Sequence, residues 1–187
     1  QNSKSTEIRH PAPRGEGMGL GLVAGSTWPA DEAVLLPVLQ QPEFQHLKLV
    51  IAPHEPSEKH LAQLLPKLNK PFLRYSACQA GDALDARTLV IDNVGMLNTL
   101  YRYGSIAFIG GGFGKGIHNT LEPAAFGLPV IFGPRYEKFE EARQFVARGG
   151  AFPVRDAAEL AAALAYLQEP ENYRKASAAV RAYLEEN

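Results

Sequence analysis

Cysteine is nearly absent from this sequence: Cys78 is the only one in 187 residues. A single thiol cannot close an intrachain disulfide or build a multi-thiolate metal site. That excludes a disulfide-stapled framework and structural zinc, and it fits a reducing compartment. Also missing is any apolar run near the roughly 18 residues that a membrane span needs. Charge of one sign is lacking as well, since 19 Lys and Arg stand against 20 Asp and Glu. Without a basic excess or stripe there is no electrostatic reason to expect a nucleic-acid partner. The five histidines have no metal-ligand spacing, and no Gly-x-Ser-x-Gly nucleophile elbow occurs. The chain opens on Gln1 without a signal-peptide pattern, which reads as an excised piece of a longer protein.

What is present is an alternation. Residues 1–17 carry only Ile8 as a large apolar side chain, so they read as a linker or disordered tail that cannot offset its ordering entropy. From residue 18 to 187, short apolar runs alternate with segments of helical period. The runs Leu20–Ala24, Lys48–Ala52, Phe72–Tyr75, Thr88–Ile91, Ser105–Ile109, Val130–Phe132 and Ala151–Val154 predict strands. Their apolar residues are continuous, as in strands covered on both sides. Between them, Pro29 with Asp31 and Glu32 opens a stripe of Val34, Leu35, Val38 and Leu39. Ser57 caps a stripe of Leu61, Leu64, Leu65 and Leu68. Asp156 and Glu159 have capping-box spacing, and Pro170 starts a last amphipathic helix. The expected fold is α/β: a doubly wound, Rossmann-like parallel sheet flanked by helices on both faces.

Ligands of such sheets bind beyond the carboxyl ends of the strands, so the residues that follow each strand are the candidates. The richest segment runs from Phe108 to Ala125. A buried strand there meets five glycines in seven positions, Gly110, Gly111, Gly112, Gly114 and Gly116, and a helix is expected near Asn119. Glycines allow close backbone approach and a helix N-terminus offers unpaired N–H groups, which together would cradle a phosphate. The spacing is neither a dinucleotide fingerprint nor a Walker loop. Glu122 is placed to accept two hydrogen bonds from a ribose diol, and the plainer role for it is compensation of the helix dipole. Ser26 and Thr27, after the first strand, suit an oxyanion or a simple helix cap. His54 and Glu55 follow the second strand, where they suit a base, a phosphate or a solvated loop. Val94, Gly95 and Met96 close the fourth strand with backbone that could read a nucleobase edge, or with an ordinary turn. The loop from Gly133 to Phe139 would form a wall.

Gly25-Ser26-Thr27, Ile51-Ala52-Pro53-His54, Asp92 to Leu97, the glycine loop and His118-Asn119-Thr120-Leu121-Glu122-Pro123-Ala124-Ala125 together resemble one family. The chain is similar to the C-terminal half of the 3-deoxy-D-manno-octulosonic acid (Kdo) transferases, which assemble lipopolysaccharide. The resemblance covers residues 18 to 187. It implies one lobe of a GT-B glycosyltransferase, with an inverting transfer of Kdo from CMP-Kdo to a lipid A precursor and no metal or other cofactor.

By the same resemblance, Ser26 and Thr27 would lie near the donor phosphate and the loop containing Gly111 and Gly112 would wall the cleft. Val94, Gly95 and Met96 would contact cytosine, and Asn119 with Glu122 would hold phosphate and ribose. His54-Glu55-Pro56 stands where many members have Arg-His-Pro, which leaves His54 or Lys115 as the candidate replacement for an Arg clamp on phosphate. The family's general base, acceptor site and membrane anchor belong to its N-terminal lobe, at the cytoplasmic face of the bacterial inner membrane. This chain alone is therefore expected to be soluble, to hold no catalytic residue and to show no turnover. The alternatives are another GT-B lobe serving a UDP-sugar transferase or 2-epimerase, and a non-catalytic nucleotide-binding module.

Overall fold

The computed structural model describes residues 20–79 and 86–187. The tail expected over residues 1–17 lies outside the described residues. All seven expected strands form: β1 Gly21–Thr27, β2 Lys48–Pro53, β3 Phe72–Arg74, β4 Thr88–Val90, β5 Ile106–Ile109, β6 Val130–Phe132 and β7 Ala151–Pro153. They make one sheet of order β3-β4-β2-β1-β5-β6-β7, and every neighbouring pair is parallel. From β1 the chain steps to β2, crosses to β3 at one edge, and comes back to place β4 between β2 and β3. It then returns to β5, on the other flank of β1, and builds outward through β6 and β7. The order therefore reverses between β1 and β5, which makes their carboxyl ends the crevice of a doubly wound sheet.

The helices are α1 Pro29–Leu39, α2 Glu58–Leu64, α3 Leu97–Leu100, α4 Leu121–Ala124, α5 Glu140–Arg148, α6 Ala157–Gln168 and α7 Pro170–Glu186. Their starts follow the local chemistry. Ser57 accepts the His60 amide at 3.2 Å and Asp156 accepts the Glu159 amide at 2.9 Å. Glu159 differs slightly from capping-box expectation: it takes the amide of Arg155, one residue before the cap, at 2.8 Å. Helix α5 stops where Gly149 turns left-handed, at φ 85°.

Side chains alternate across each strand and supply two cores. Leu22, Ala24, Ile106 and Phe108 face the layer of α1, α2 and α6. Val23, Ala107 and Ile109 face the opposite layer, with Tyr101, Phe145 and Val180. Burial on both faces explains the uninterrupted apolar runs, since neither side of a central strand meets water. Helix α7 joins the layers, with Ala176 in the first core and Val180 in the second.

Candidate functional site

Strand β1 does not end regularly. Its register with β2 pairs Gly25 with Ala52 and Thr27 with Pro53, leaving Ser26 as an extra residue, and Ser26 has a left-handed φ of 54°. A bulge of this kind re-aims a side chain at a strand end. The Ser26 hydroxyl has no hydrogen-bond partner among the described residues and is not sealed from solvent. Thr27 is turned the other way. Its side chain is buried, and its hydroxyl donates to Glu32 Oε2 at 3.0 Å. Glu32 is itself buried and lies 2.5 Å from His60 Nε2, so α1 is tied to α2 beneath the crevice.

The glycine loop after β5 packs against the loops that follow β1 and β6. A Cβ on Gly110 would stand 2.1 Å from the Ser26 carbonyl oxygen, and one on Gly112 would stand 2.5 Å from the Gly133 nitrogen. Both positions must be glycine for three strand ends to press backbone against backbone. The loop is also largely bonded to the protein itself. Gly110 donates its amide to the Gly25 carbonyl at 2.8 Å, and Gly114 and Gly116 both donate to the Gly111 carbonyl at 3.0 Å.

The Gly111 amide donates to Asp31 Oδ2 at 3.0 Å, and the Trp28 amide donates to the same oxygen at 2.8 Å. Burial pushes the Asp31 carboxyl above its ordinary range, and the neighbouring Glu32 adds to that. The amides of Gly111 and Trp28 pull in the other direction. The Gly111 N–H is therefore committed to Asp31. The hydroxyl of Thr27 is likewise committed to Glu32. Any meeting of these two positions with a ligand uses other atoms.

Three rings collect over the same strand ends. The Trp28 and His54 rings stack with centroids 4.5 Å apart, and His54 stacks on His118 at 4.5 Å. Trp28 Nε1 donates to His118 Nε2 at 3.1 Å. The His54 amide bonds to the Thr27 carbonyl at 2.9 Å and the His118 amide to the Gly110 carbonyl at 3.2 Å, so the backbone sets the stack. Burial lowers the His118 pKa, and the adjacent His54 lowers it further.

Beyond His118 the chain starts α4, which is one turn long and begins two residues after Asn119. A single turn sums few peptide dipoles, so the helix-dipole share of the expected cradle is small. What remains is side-chain chemistry. Asn119 Oδ1 accepts the Leu121 amide at 2.8 Å, and its Nδ2 reaches Glu122 Oε1 at 3.5 Å. Glu122 is half-buried, and its charge, after burial, helps to hold the Tyr101 phenol protonated. Tyr101 in turn packs beneath the site: a Cβ on Gly25 would lie 2.2 Å from its hydroxyl.

Val94, Gly95 and Met96 follow β4. Val94 is 77% exposed, and nothing lies within 4 Å of a Cβ built on Gly95. This loop is held by Asp92, which accepts from Arg74 Nε at 2.9 Å and from the Ser76 amide at 3.0 Å. Ser26, His54, the glycine loop and His118 thus share one crevice, joined through α3 and Tyr101 to the residues around Glu122. The Val94 loop leads directly into α3, with Val94 and Gly95 exposed and Met96 half-buried against the core. The Lys115 side chain is exposed and has no ion pair among the described residues.

Sequence reasoning missed Trp28, Asp31, Tyr101 and the Glu32–His60 pair as parts of the site. A single tryptophan at a strand-to-helix junction was the one available signal for Trp28.

No family model matches the chain. The 3-deoxy-D-manno-octulosonic acid transferase of Aquifex aeolicus (strain VF5) is 31% identical over 152 residues, covering 78% of this chain and 41% of that protein. The protein of the same name from Chlamydophila psittaci (strain ATCC VR-125 / 6BC) is 32% identical over 158 residues, covering 83% and 36%. Among solved structures, the C-terminal CMP-Kdo binding domain of WaaA from Acinetobacter baumannii superposes with a TM-score of 0.77 at 26% identity. The match covers 89% of this chain and 90% of that one. The chain spans about two fifths of the length of the curated relatives it matches.

Proposed function

Since the chain is a relative of the Kdo transferases and has the fold of a GT-B donor lobe, we propose that it binds CMP-Kdo for transfer of Kdo to a lipid A precursor. One observation carries the reading above the others. Over 89% of its length the chain has the fold of a domain solved as a CMP-Kdo binding domain, at 26% sequence identity.

In this reading cytosine rests on Val94, Gly95 and Met96, and Glu122 accepts from the ribose diol with Asn119 beside it. The phosphate lies against Ser26, His54 and the backbone of Gly111 and Gly112. An acceptor hydroxyl attacks the anomeric carbon of Kdo and the bond to phosphate breaks, so that the bonding pair leaves on CMP and the configuration inverts. The task of this lobe is to stabilise the charge that grows on the departing phosphate. Ser26 offers a hydroxyl that has no partner among the described residues, and the crevice keeps its other groups in place through bonds within the protein. Acceptor, general base and membrane attachment are assigned to the three fifths of the relatives' length that this chain does not span, and the reaction is taken to be independent of metal.

Calorimetric titration of the chain with CMP and with UDP tests the reading. CMP should bind more tightly than UDP, and EDTA should leave the isotherm unchanged. Glu122→Ala, which removes hydrogen bonds to a charged acceptor, should weaken CMP by about tenfold. Tighter binding of UDP, or binding of neither nucleotide, overturns it.

A further inference from the structure

The bond between Trp28 and His118 fixes a proton. An indole N–H is a donor only, so the His118 Nε2 that receives it at 3.1 Å must be a bare lone pair. A neutral imidazole with an unprotonated Nε2 carries its proton on Nδ1. Protonating the ring would place two N–H donors face to face. Burial and the neighbouring His54 oppose the charged form as well. The ring cannot easily turn to exchange its nitrogens, because His54 stacks on it at 4.5 Å and Trp28 stacks on His54 at 4.5 Å.

The Nδ1–H edge has no hydrogen-bond partner among the described residues and is not closed off from solvent. Its surroundings are set by the backbone: His118 donates its amide to Gly110, and Gly110 lies directly against the Ser26 carbonyl. Among the described residues, the Ser26 hydroxyl and the His118 Nδ1–H are thus two side-chain donors without a partner at the strand ends flanking the reversal of order, and both suit an oxyanion.

We infer that Trp28 is a positioning residue that locks His118 as the neutral Nδ1–H tautomer and presents that N–H to an anionic oxygen of the bound nucleotide sugar. The ligand half of this inference rests on the reading proposed above; the tautomer half rests on the chain alone. A neutral donor of this kind gives its strongest bond when negative charge accumulates, as it does on a departing phosphate, and it has no proton to lose or gain near neutral pH.

Side-chain 15N NMR of the chain tests both halves. Free wild-type protein should show His118 with Nε2 unprotonated and Nδ1 protonated, and titration with CMP should move the Nδ1 resonance. Trp28→Phe keeps a flat ring against His54 but removes the donor. It should release His118 into a mixture of tautomers and weaken CMP by about tenfold, the lower end of what one bond to a charged group is worth, with the amide spectrum away from the crevice unchanged. A wild-type His118 carrying its proton on Nε2 overturns the inference, as does a Trp28→Phe protein with the same tautomer and the same affinity. If CMP fails to bind wild-type protein while His118 is the Nδ1–H tautomer, the nucleotide reading falls together with the ligand half, and the tautomer lock stands. Should CMP bind without moving Nδ1, the ligand half alone falls.

Discussion

Carboxylates decide how the crevice is held, and each does so by where its oxygens find donors. Asp92 is the clearest case. Its side chain is only 1% exposed, a position in which an unpaired charge would be costly. Burial alone would raise its pKa, but the Ser76 hydroxyl and amide and the Arg74 guanidinium outweigh burial and hold it below the ordinary aspartate value of 3.8. A folded-state pKa below the unfolded one means that the stabilisation is present above about pH 4 and is lost as pH falls through the folded value. Asp92→Asn should therefore destabilise the chain by about 1–3 kcal/mol at pH 7, the loss of charge-assisted bonds around a buried group. The gap from wild type should be smaller at an acid pH at which the folded carboxyl is protonated than at pH 7. Urea unfolding at the two pH values measures this, and a gap that stays constant with pH would remove the carboxylate from the account. Asp31 shows the opposite balance. There burial wins over the amides of Trp28 and Gly111, and Oδ1 has no hydrogen-bond partner among the described residues. Two adjacent acids in one helical turn, Asp31 and Glu32, thus act as anchors, Asp31 for the glycine loop and Glu32 for α2.

Among the elements, the bulge at the end of β1 and the loop after β5 form one unit. Ser26 bulges with a left-handed backbone, and its carbonyl fills the space that a side chain on residue 110 would need. Gly110→Ala forces a Cβ to 2.1 Å from a backbone oxygen that a flexible side chain cannot vacate. It should cost about 3 kcal/mol, the upper part of the range for overpacking, and should disturb the Ser26 amide resonance in NMR. Gly95→Ala is the control. The loop is open there, with nothing within 4 Å, so only the φ of 93° resists and the cost should be about 1 kcal/mol. Equal losses of melting temperature in the two variants would show that close packing does not hold the loop.

The strands and most of the helices of this unit were legible in the sequence, because a strand buried on both faces needs an uninterrupted apolar run and a helix start needs a cap. The inward use of the loop amides was not. Glycine content announces that backbone comes close to something, but whether that something is a ligand or a neighbouring strand end depends on the fold. Helix α4 does start near Asn119, as the chemistry of Asn119 and Glu122 indicates, but Gly127, left-handed at φ 70°, and Pro129 follow so soon that only one turn forms.

At the scale of the whole molecule, stability and recognition occupy different parts of the sheet. The central strands β1 and β5 are clamped between two layers of helix, while the chemistry projects from their carboxyl ends. Sequence periodicity reveals the first arrangement and not the second, because Trp28 and His118 stand 90 residues apart and meet only once β1 and β5 are neighbours. The separation makes a paired prediction. Phe108, in the middle of β5, is fully buried, and its removal leaves a cavity that rigid neighbouring strands cannot close. Phe108→Ala should cost about 3–5 kcal/mol, a large share of the roughly 5–15 kcal/mol that holds a domain of this kind together. Where folded protein persists, its CMP affinity should stay within about twofold of wild type, well under one 1.4 kcal/mol step. Val94, 77% exposed beside Gly95, reverses the pattern. Val94→Asp should leave the melting temperature within a few degrees, as expected for an exposed substitution worth about 0.5 kcal/mol or less. It should weaken CMP by several-fold, by putting a carboxylate against the base and near the phosphate charge. Thermal melts and calorimetry on the same two proteins settle the matter. If Phe108→Ala lost affinity in proportion to stability, or Val94→Asp lost neither, the division between a load-carrying sheet and a recognising edge would be wrong.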